Sequence, residues 1–242
     1  MKQLLYRLSF VVLLALIFTL SLISTPTQAA SFEIACGDTD ALIDAIISAN
    51  ANADPDTIEL AEDCAYSFST AHNDNNALPV ITSQIVINGN GATLQRDVSG
   101  AALRLVWVDT IGDLTLNDMT VHGWNAEGAL NNVGSLTVYN SAVVENSVYG
   151  IYNDAGTLWV ESSQVSINVR DGIYIDNNAT VHIISSTISE NTCEGLDIWL
   201  GSTVYITSST ISKNRDGINN ETNAAVYIAS STISENREDG IH

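Results

Sequence analysis

Acidic residues recur at one position of this chain, directly before a glycine that returns every 22 or 23 residues. Carboxylates at such a spacing repel one another unless a cation lies between them, and hard oxygen ligands favour Ca²⁺. An acidic surface that keeps the molecule soluble explains the pattern equally well, and the Gly-Gly-x-Gly-x-Asp repeat of Ca²⁺-binding solenoids does not occur. We therefore predict no cofactor, with Ca²⁺ as the open alternative. The candidate metal ligands are Asp171, Glu194, Asp216 and Asp239.

Two arginines stand directly before acids of this series and are the candidate catalytic residues. Arg170 precedes Asp171, and Arg215 precedes Asp216. A base beside a sugar can take a proton from it, and paired acids can hydrolyse a glycosidic bond. Charge neutralisation within turns explains the same residues, so the catalytic groups stay unknown at this point.

Ring-bearing residues occupy one position of successive repeats, between two apolar neighbours. Because side chains alternate across a strand, the pattern predicts four rings on one outer face, about 4.8 Å apart. Flat rings suit the apolar faces of sugars, so these residues are the candidate substrate-binding residues. Stacking between neighbouring strands is the alternative, worth about 0.2–1 kcal/mol per pair. The rings belong to Trp159, His182, Tyr205 and Tyr227.

A repeat positions these residues. Each unit has an alternating apolar segment, one more β-branched residue, an asparagine, the glycine and a further short apolar segment. Period-2 strands of three to five residues between polar turns exclude helical repeats. We therefore predict an all-β fold, a right-handed parallel β-helix of 22–23-residue coils, in which the asparagines form a turn ladder. The repeating glycines are Gly128, Gly150, Gly172, Gly195, Gly217 and Gly240.

The chain divides into three predicted parts. Residues 1–30 have the pattern of a signal peptide, with cleavage near Ala29 or Ala30, an apolar core at residues 8–23, and an uncleaved anchor as the alternative. Residues 31–113 form an N-terminal cap with an amphipathic helix at about 39–52 and the first irregular coils. Residues 114–242 form the regular repeats. In an oxidising compartment Cys36 and Cys64 are expected to form a disulfide.

The sequence stops just after the glycine that should open another strand. Such an end would leave strand edges bare. A short natural end, a covering partner, or truncation of a longer protein with further coils all explain it, and the three stay open.

The net charge of the chain limits the classes of partner that it is expected to bind. Twenty-eight acids against 8 bases give a formal net charge of −20. A chain this acidic repels polyphosphate and anionic lipid, which argues against nucleic acid and, after signal cleavage, against the membrane. A polysaccharide or cell-surface glycan is the expected partner, and a cationic or neutral glycan is favoured over a polyuronate.

Several segments of the N-terminal half resemble bacterial exported β-helix proteins of the pectin-lyase-like superfamily. They are residues 41–46, 56–60, 78–83 and 87–93. The resemblance implies the same fold over essentially the whole mature chain, but superfamily members include lyases, hydrolases, epimerases and adhesins. In pectate lyases an arginine near Ca²⁺ acts as the base. The Trp-Ile-Asp-His and Arg-x-Pro-x-x-Arg motifs of pectate lyases and the motif set of polygalacturonases do not occur here.

Two functional hypotheses remain. The first is an exported, secreted or cell-surface β-helix that is adhesin-like or carbohydrate-binding and has no enzymatic activity. It depends on regular ladder-forming sequence without a catalytic motif. The alternative is a Ca²⁺-dependent polysaccharide lyase or a related carbohydrate-active enzyme.

Overall fold

The computed structural model describes residues 29–52, 54–221 and 223–242. The predicted signal peptide lies outside the described residues, except for its last two. Within these ranges no helix is long and apolar enough to cross a membrane.

The described chain consists of short strands and one short helix near its start. In chain order these elements are β1 (Ser31–Ile34), α1 (Thr39–Asn50), β2 (Asp56–Leu60), β3 (Ala65–Phe68), β4 (Gln84–Arg96), β5 (Val106–Val108), β6 (Asp113–His122), β7 (Gly128–Asn132), β8 (Ser135–Tyr139), β9 (Ala142–Val144), β10 (Tyr149–Asp154), β11 (Thr157–Glu161), β12 (Gln164–Ser166), β13 (Ile173–Asp176), β14 (Thr180–Ile184), β15 (Thr187–Ser189), β16 (Leu196–Ile198), β17 (Thr203–Thr207), β18 (Thr210–Ser212), β19 (Ile218–Asn220), β20 (Ala225–Ala229) and β21 (Thr232–Ser234).

The strands stack in three columns, which we call the first, second and third face. The first face contains β6, β8, β11, β14, β17 and β20, and the second contains β6, β9, β12, β15, β18 and β21. The third face contains β5, β7, β10, β13, β16 and β19. Each pair of neighbouring strands is parallel, as in β11 with β14, β12 with β15 and β10 with β13. The predicted parallel β-helix is therefore confirmed.

The core consists of apolar ladders that run from coil to coil. On the first face Leu136, Leu158, Val181 and Val204 occupy one register position, and each is fully buried. Burial of each such side chain stabilises the fold by roughly 1.5–3 kcal/mol. The period-2 alternation that places these residues inside also places their neighbours outside, which is how the backbone presents the candidate site residues.

The asparagine column is a buried hydrogen-bond ladder. The Asn168 side-chain amide donates to Asn191 Oδ1 at 2.9 Å, and that of Asn191 donates to Asn214 Oδ1 at 3.0 Å. The left-handed backbone conformation in this turn belongs to the preceding residue, such as Ile167 with φ 57°. The asparagine side chains are buried, and their amides also donate to backbone carbonyls of the preceding coil, as Asn168 does to Val143 O and Asn191 to Val165 O.

Helix α1 covers the first coils. Asp38 caps it by accepting a hydrogen bond from the Ala41 N–H at 3.0 Å, and its buried face contains Leu42, Ala45, Ile46 and Ala49. The helix ends at Asn50, earlier than the predicted residue 52. At this end the Asn50 side chain binds the segment beside the helix, donating to Val80 O at 2.7 Å and accepting from the Thr82 N–H at 2.8 Å. The predicted disulfide between Cys36 and Cys64 is present.

Candidate functional site

The predicted ring column lies on the outside of the first face. Trp159, His182, Tyr205 and Tyr227 are in register on β11, β14, β17 and β20. Successive ring centroids are 3.9, 4.9 and 5.1 Å apart, and the ring planes deviate by only 7–12° from parallel. Burial between its neighbours lowers the pKa of His182, which favours a neutral imidazole.

This stacking changes what the rings offer to a ligand. Because the planes are nearly parallel across successive coils, the inner rings turn their faces to one another and their edges to solvent. A sugar that packs on a ring needs a free face. At the lower end of the stack such a face exists on Trp159, whose register partner in the preceding coil is the small Thr137. Whether this column binds sugar stays a prediction.

The third face carries an outer column that sequence reasoning did not single out. Tyr152 and Tyr174 stand opposite each other on β10 and β13, with ring centroids 5.1 Å apart and planes within 10°. Asp197 follows Tyr174 in register on β16. The signal was present in the sequence, since each of these residues comes two positions after a repeat glycine.

Tyr149 and Arg170 border this column on its turn side. The Tyr149 ring lies 5.1 Å from that of Tyr174. The Arg170 guanidinium lies 4.9 Å from the Tyr149 ring centroid, and Arg170 Nη1 donates to Tyr149 Oη at 3.0 Å. Arg170, one of the two candidate catalytic residues, therefore holds a tyrosine rather than an acid.

The predicted acids lie in the turns that lead into the third face. Asp171 Oδ1 accepts the Glu194 N–H at 3.0 Å, and one coil further Asp216 Oδ1 accepts the Asp239 N–H at 2.8 Å. Ligand atoms of Asp171, Glu194 and Cys193 lie within 4.8 Å of one another. Asp171 and Glu194 are buried, whereas Asp239 is exposed.

Arg215, the other candidate catalytic residue, lies among these acids. It forms ion pairs with Glu194 and, at 3.4 Å, with Asp216. The pairing explains how two of the acids tolerate burial, since a buried charge needs a partner. It agrees with the interpretation of the arginine as a neutralising group within the turns.

The pKa values of Asp171 and Asp197 are both raised. Burial, together with the negative charge of Asp197, raises the pKa of Asp171 to about 7, although Arg170 and Arg215 oppose the shift. Burial also raises the pKa of Asp197. At neutral pH the Asp171 carboxyl is therefore partly protonated, and it can give or take a proton there.

The acids do not fit Ca²⁺ as they are folded. Ca²⁺ takes six to eight oxygen ligands. Here Glu194 is paired with the Arg215 guanidinium, one Asp171 oxygen faces an N–H donor, and the third group of the cluster is the Cys193 thiol, a soft ligand. Burial raises the pKa of that thiol, which favours its neutral form.

Two shallow depressions lie away from these groups. Their volumes are about 430 and 530 Å³, and Gly91 and Asp118 line both. Their described linings hold neither an aromatic ring nor a basic side chain. Aromatic, acidic and basic groups come together on the third face instead. We call Tyr149, Arg170, Asp171, Tyr174 and Asp197 the tyrosine–aspartate cluster.

Comparison with known proteins agrees with the fold. The family model described as a right handed beta helix region matches residues 57–211 and 157–242. No curated protein sequence matches the chain. Among solved structures, pectate lyase Pel9A is similar with a TM-score of 0.64 and 14% identity over 86% of this chain. The match spans 64% of that lyase, less than two thirds of its length.

A second solved structure is more distant. The A-module of the Azotobacter vinelandii mannuronan C-5 epimerase AlgE4 gives a TM-score of 0.46 and 14% identity, covering 84% of this chain and 76% of that one. At such identities the likeness shows the fold alone. The right-handed β-helix with a pectin-lyase-like fold, predicted from the sequence, is confirmed.

Proposed function

The chain belongs to the right-handed β-helix family, and from that premise we propose that it is an exported carbohydrate-binding protein whose third face holds a glycan chain. The observation that carries the proposal is the tyrosine–aspartate cluster. Sugars are bound by aromatic rings together with planar hydrogen-bonding groups at their hydroxyls. Tyr174 and Asp197 supply one of each on neighbouring coils.

The free face of Tyr174 is the proposed contact for the sugar ring. Tyr152 stacks on one side of Tyr174, and the next residue of the column on the other side is the much shorter Asp197. The outer part of the Tyr174 ring therefore extends beyond its neighbour and forms a step. A pyranose ring fits against this step, with its hydroxyls toward the Asp197 carboxylate and the Arg170 guanidinium.

Export is supported by two features. Residues 1–30 have the pattern of a signal peptide, and the Cys36–Cys64 disulfide is typical of oxidising compartments. A glycan of the cell surface or its surroundings is then the accessible ligand. An adhesin-like role follows if the glycan belongs to another cell.

The test is binding to a panel of insoluble polysaccharides. The Tyr174→Ala variant should lose retention on the glycan that holds the unmodified protein. The matched control is the Trp159→Ala/Tyr205→Ala double variant, which removes rings from the first face. Loss of retention only in the double variant would move the binding site to the predicted first-face column. If no polysaccharide of the panel retains the unmodified protein, carbohydrate binding is contradicted.

A second candidate function is acid–base chemistry on the bound glycan. It is favoured by Asp171, a buried carboxyl with a pKa of about 7 beside the proposed sugar contact. Such a group can act as general acid or base at neutral pH. Incubation with the retained polysaccharide should then release new reducing ends or unsaturated products, and Asp171→Asn should abolish them while retention persists.

A further inference from the structure

The third face contains two buried carboxylates without an ion pair among the described residues. Asp171 and Asp197 are only 5% and 9% exposed. The nearby guanidiniums are engaged elsewhere, Arg215 with Glu194 and Asp216, and Arg170 with Tyr149. Asp197 accepts a hydrogen bond from Asn219 Nδ2 at 2.9 Å, and Asp171 accepts the Glu194 N–H. Buried acids of this kind gain from a cation that the protein does not itself supply.

Tyrosine rings border these carboxylates. The rings of Tyr149, Tyr152 and Tyr174 lie within 6 Å of one another. A cation beside an aromatic ring is attracted by the ring quadrupole, and more strongly where water is excluded. Rings and carboxylates therefore favour the same kind of ligand group at this place.

The charged side chains around the three tyrosine rings are mostly acidic, so the electrostatic potential there is negative. Burial is the main cause of the raised pKa of all three phenols; nearby carboxylates add to it, and Arg170 opposes it only at Tyr149. Glu127 is partly neutralised, because Arg104 is ion-paired with it. The remaining acids give a surface that repels polyanions and attracts cations. The acids concerned are Glu127, Asp154, Asp171, Asp176 and Asp197.

We infer that the glycan held on the third face is an amino-sugar polymer with free ammonium groups, and that one ammonium lies between the Tyr174 ring and the carboxylates of Asp171 and Asp197. The inference rests on the proposed carbohydrate-binding function. It differs from an anionic substrate such as pectate in the sign of the ligand charge.

The test compares oligosaccharides of equal length by titration calorimetry at about pH 6, where primary amines are mostly protonated. The probes are a glucosamine hexamer, an N-acetylglucosamine hexamer and a galacturonate hexamer, with spermine as a free polyamine. The glucosamine hexamer should bind about tenfold more tightly than the N-acetylated hexamer. The galacturonate hexamer should bind most weakly of the three.

Variants locate the ammonium. Asp197→Asn keeps the shape and the hydrogen-bonding capacity of the side chain but removes its charge, so it should bring the two hexamers to nearly equal affinity. Asp113→Asn removes the same charge from the first face and should leave the tenfold ratio unchanged. A circular-dichroism melting curve for each variant establishes that the fold is retained.

The outcomes separate the two proposals. If the N-acetylated hexamer binds as tightly as the glucosamine hexamer and Tyr174→Ala abolishes both, carbohydrate binding stands and the ammonium inference is overturned. Spermine that binds as tightly as the glucosamine hexamer overturns the amino-sugar ligand, because the sugar ring then contributes nothing. Binding by none of the hexamers overturns the proposed function together with the inference.

Discussion

Asp171 Oδ1 accepts the backbone N–H of Glu194, which lies one coil further along the solenoid, at 3.0 Å. This hydrogen bond connects two candidate metal ligands: the side chain of Asp171 accepts, and the backbone of Glu194 donates. The Asp171 carboxyl lies in a buried turn, where desolvation opposes ionisation more strongly than Arg170 and Arg215 favour it. A column that looked like a set of equivalent surface acids therefore contains one carboxyl with its own chemistry.

The first prediction concerns pH. The pKa of Asp171 is raised from 3.8 to about 7 on folding, so between these values the native state holds a proton that the unfolded chain has released. This contribution to the free energy of unfolding is full below about pH 4 and is lost as the pH rises through 7. Asp171→Asn cannot ionise, so relative to the unmodified protein it should gain on the order of 2–3 kcal/mol between about pH 5 and pH 8.

Urea unfolding of both proteins at the two pH values measures this difference. The asparagine keeps an acceptor for the Glu194 N–H, so the comparison isolates the charge. Glu33→Gln, a change at an exposed acid of β1, is the control and should show the same pH dependence as the unmodified protein. A constant difference between Asp171→Asn and the unmodified protein would show that Asp171 titrates normally.

The second prediction concerns Ca²⁺. Arg215 occupies the acidic turn as a built-in cation, paired with Glu194 and Asp216. A ligand that binds only the native state raises its stability by mass action. Because the donors are already engaged, millimolar Ca²⁺ should leave the melting temperature unchanged compared with the same ionic strength of NaCl. A Ca²⁺-specific rise that disappears in Asp171→Asn would instead support the metal site predicted from the acid column.

The third prediction concerns the disulfide. Cys36 and Cys64 are separated by 28 residues and join the segment before α1 to the segment after β2. On the loop-entropy model, closing a loop of this size stabilises by about 3–4 kcal/mol. The Cys36→Ala/Cys64→Ala double variant should lose about this much free energy of unfolding in urea. Cys193→Ala, which leaves the disulfide intact, serves as the control for the loss of a cysteine side chain and should change stability by less.

The fourth prediction concerns the asparagine ladder. Asn191 is fully buried, donates to Asn214 Oδ1 and Val165 O, and its own Oδ1 accepts from Asn168. Asn191→Leu leaves those partners unsatisfied, so it should destabilise by about 3 kcal/mol or more. Asn117→Ala, which removes one side-chain bond to Asn88 on the outer face, should cost less than about 1 kcal/mol. Equal losses from the two changes would contradict a structural role for the inward column.

Periodicity was enough to predict the solenoid. Alternation assigns Leu158 and Val160 inward and Trp159 outward, and the recurring glycine and asparagine fix where each turn lies, so strand type, register and the ring stack follow from local pattern. The end of α1 at Asn50 did not follow, because the Asn50 side chain binds Val80 and Thr82, contacts about 30 residues away that no local pattern shows.

The candidate site was predictable only in part. The acids before the glycine were visible in the sequence as a column. Their differences in ion pairing depend on which coil places an arginine close enough to pair with them. Arg215 can pair with Glu194 only because the two lie on adjacent coils. The tyrosines were overlooked because Tyr152 and Tyr174 share their column with Asp197 and Asn219, so no single residue type marks it. A column of mixed chemistry becomes a site only when the register brings its members together.

The last prediction concerns backbone strain in the same turns. Ile167 is 48% exposed and has φ 57°, a left-handed conformation that is unfavourable for a β-branched residue. Other coils place glutamate or lysine there, for example Glu190 and Lys213. Asparagine tolerates this conformation better, so Ile167→Asn should raise the free energy of unfolding by about 1 kcal/mol. Val169→Asn is the control, because Val169 is 55% exposed and lies outside the set of positive-φ residues, so it should change stability little. If both changes shift the urea midpoint equally, loss of exposed apolar surface rather than relief of strain is the cause.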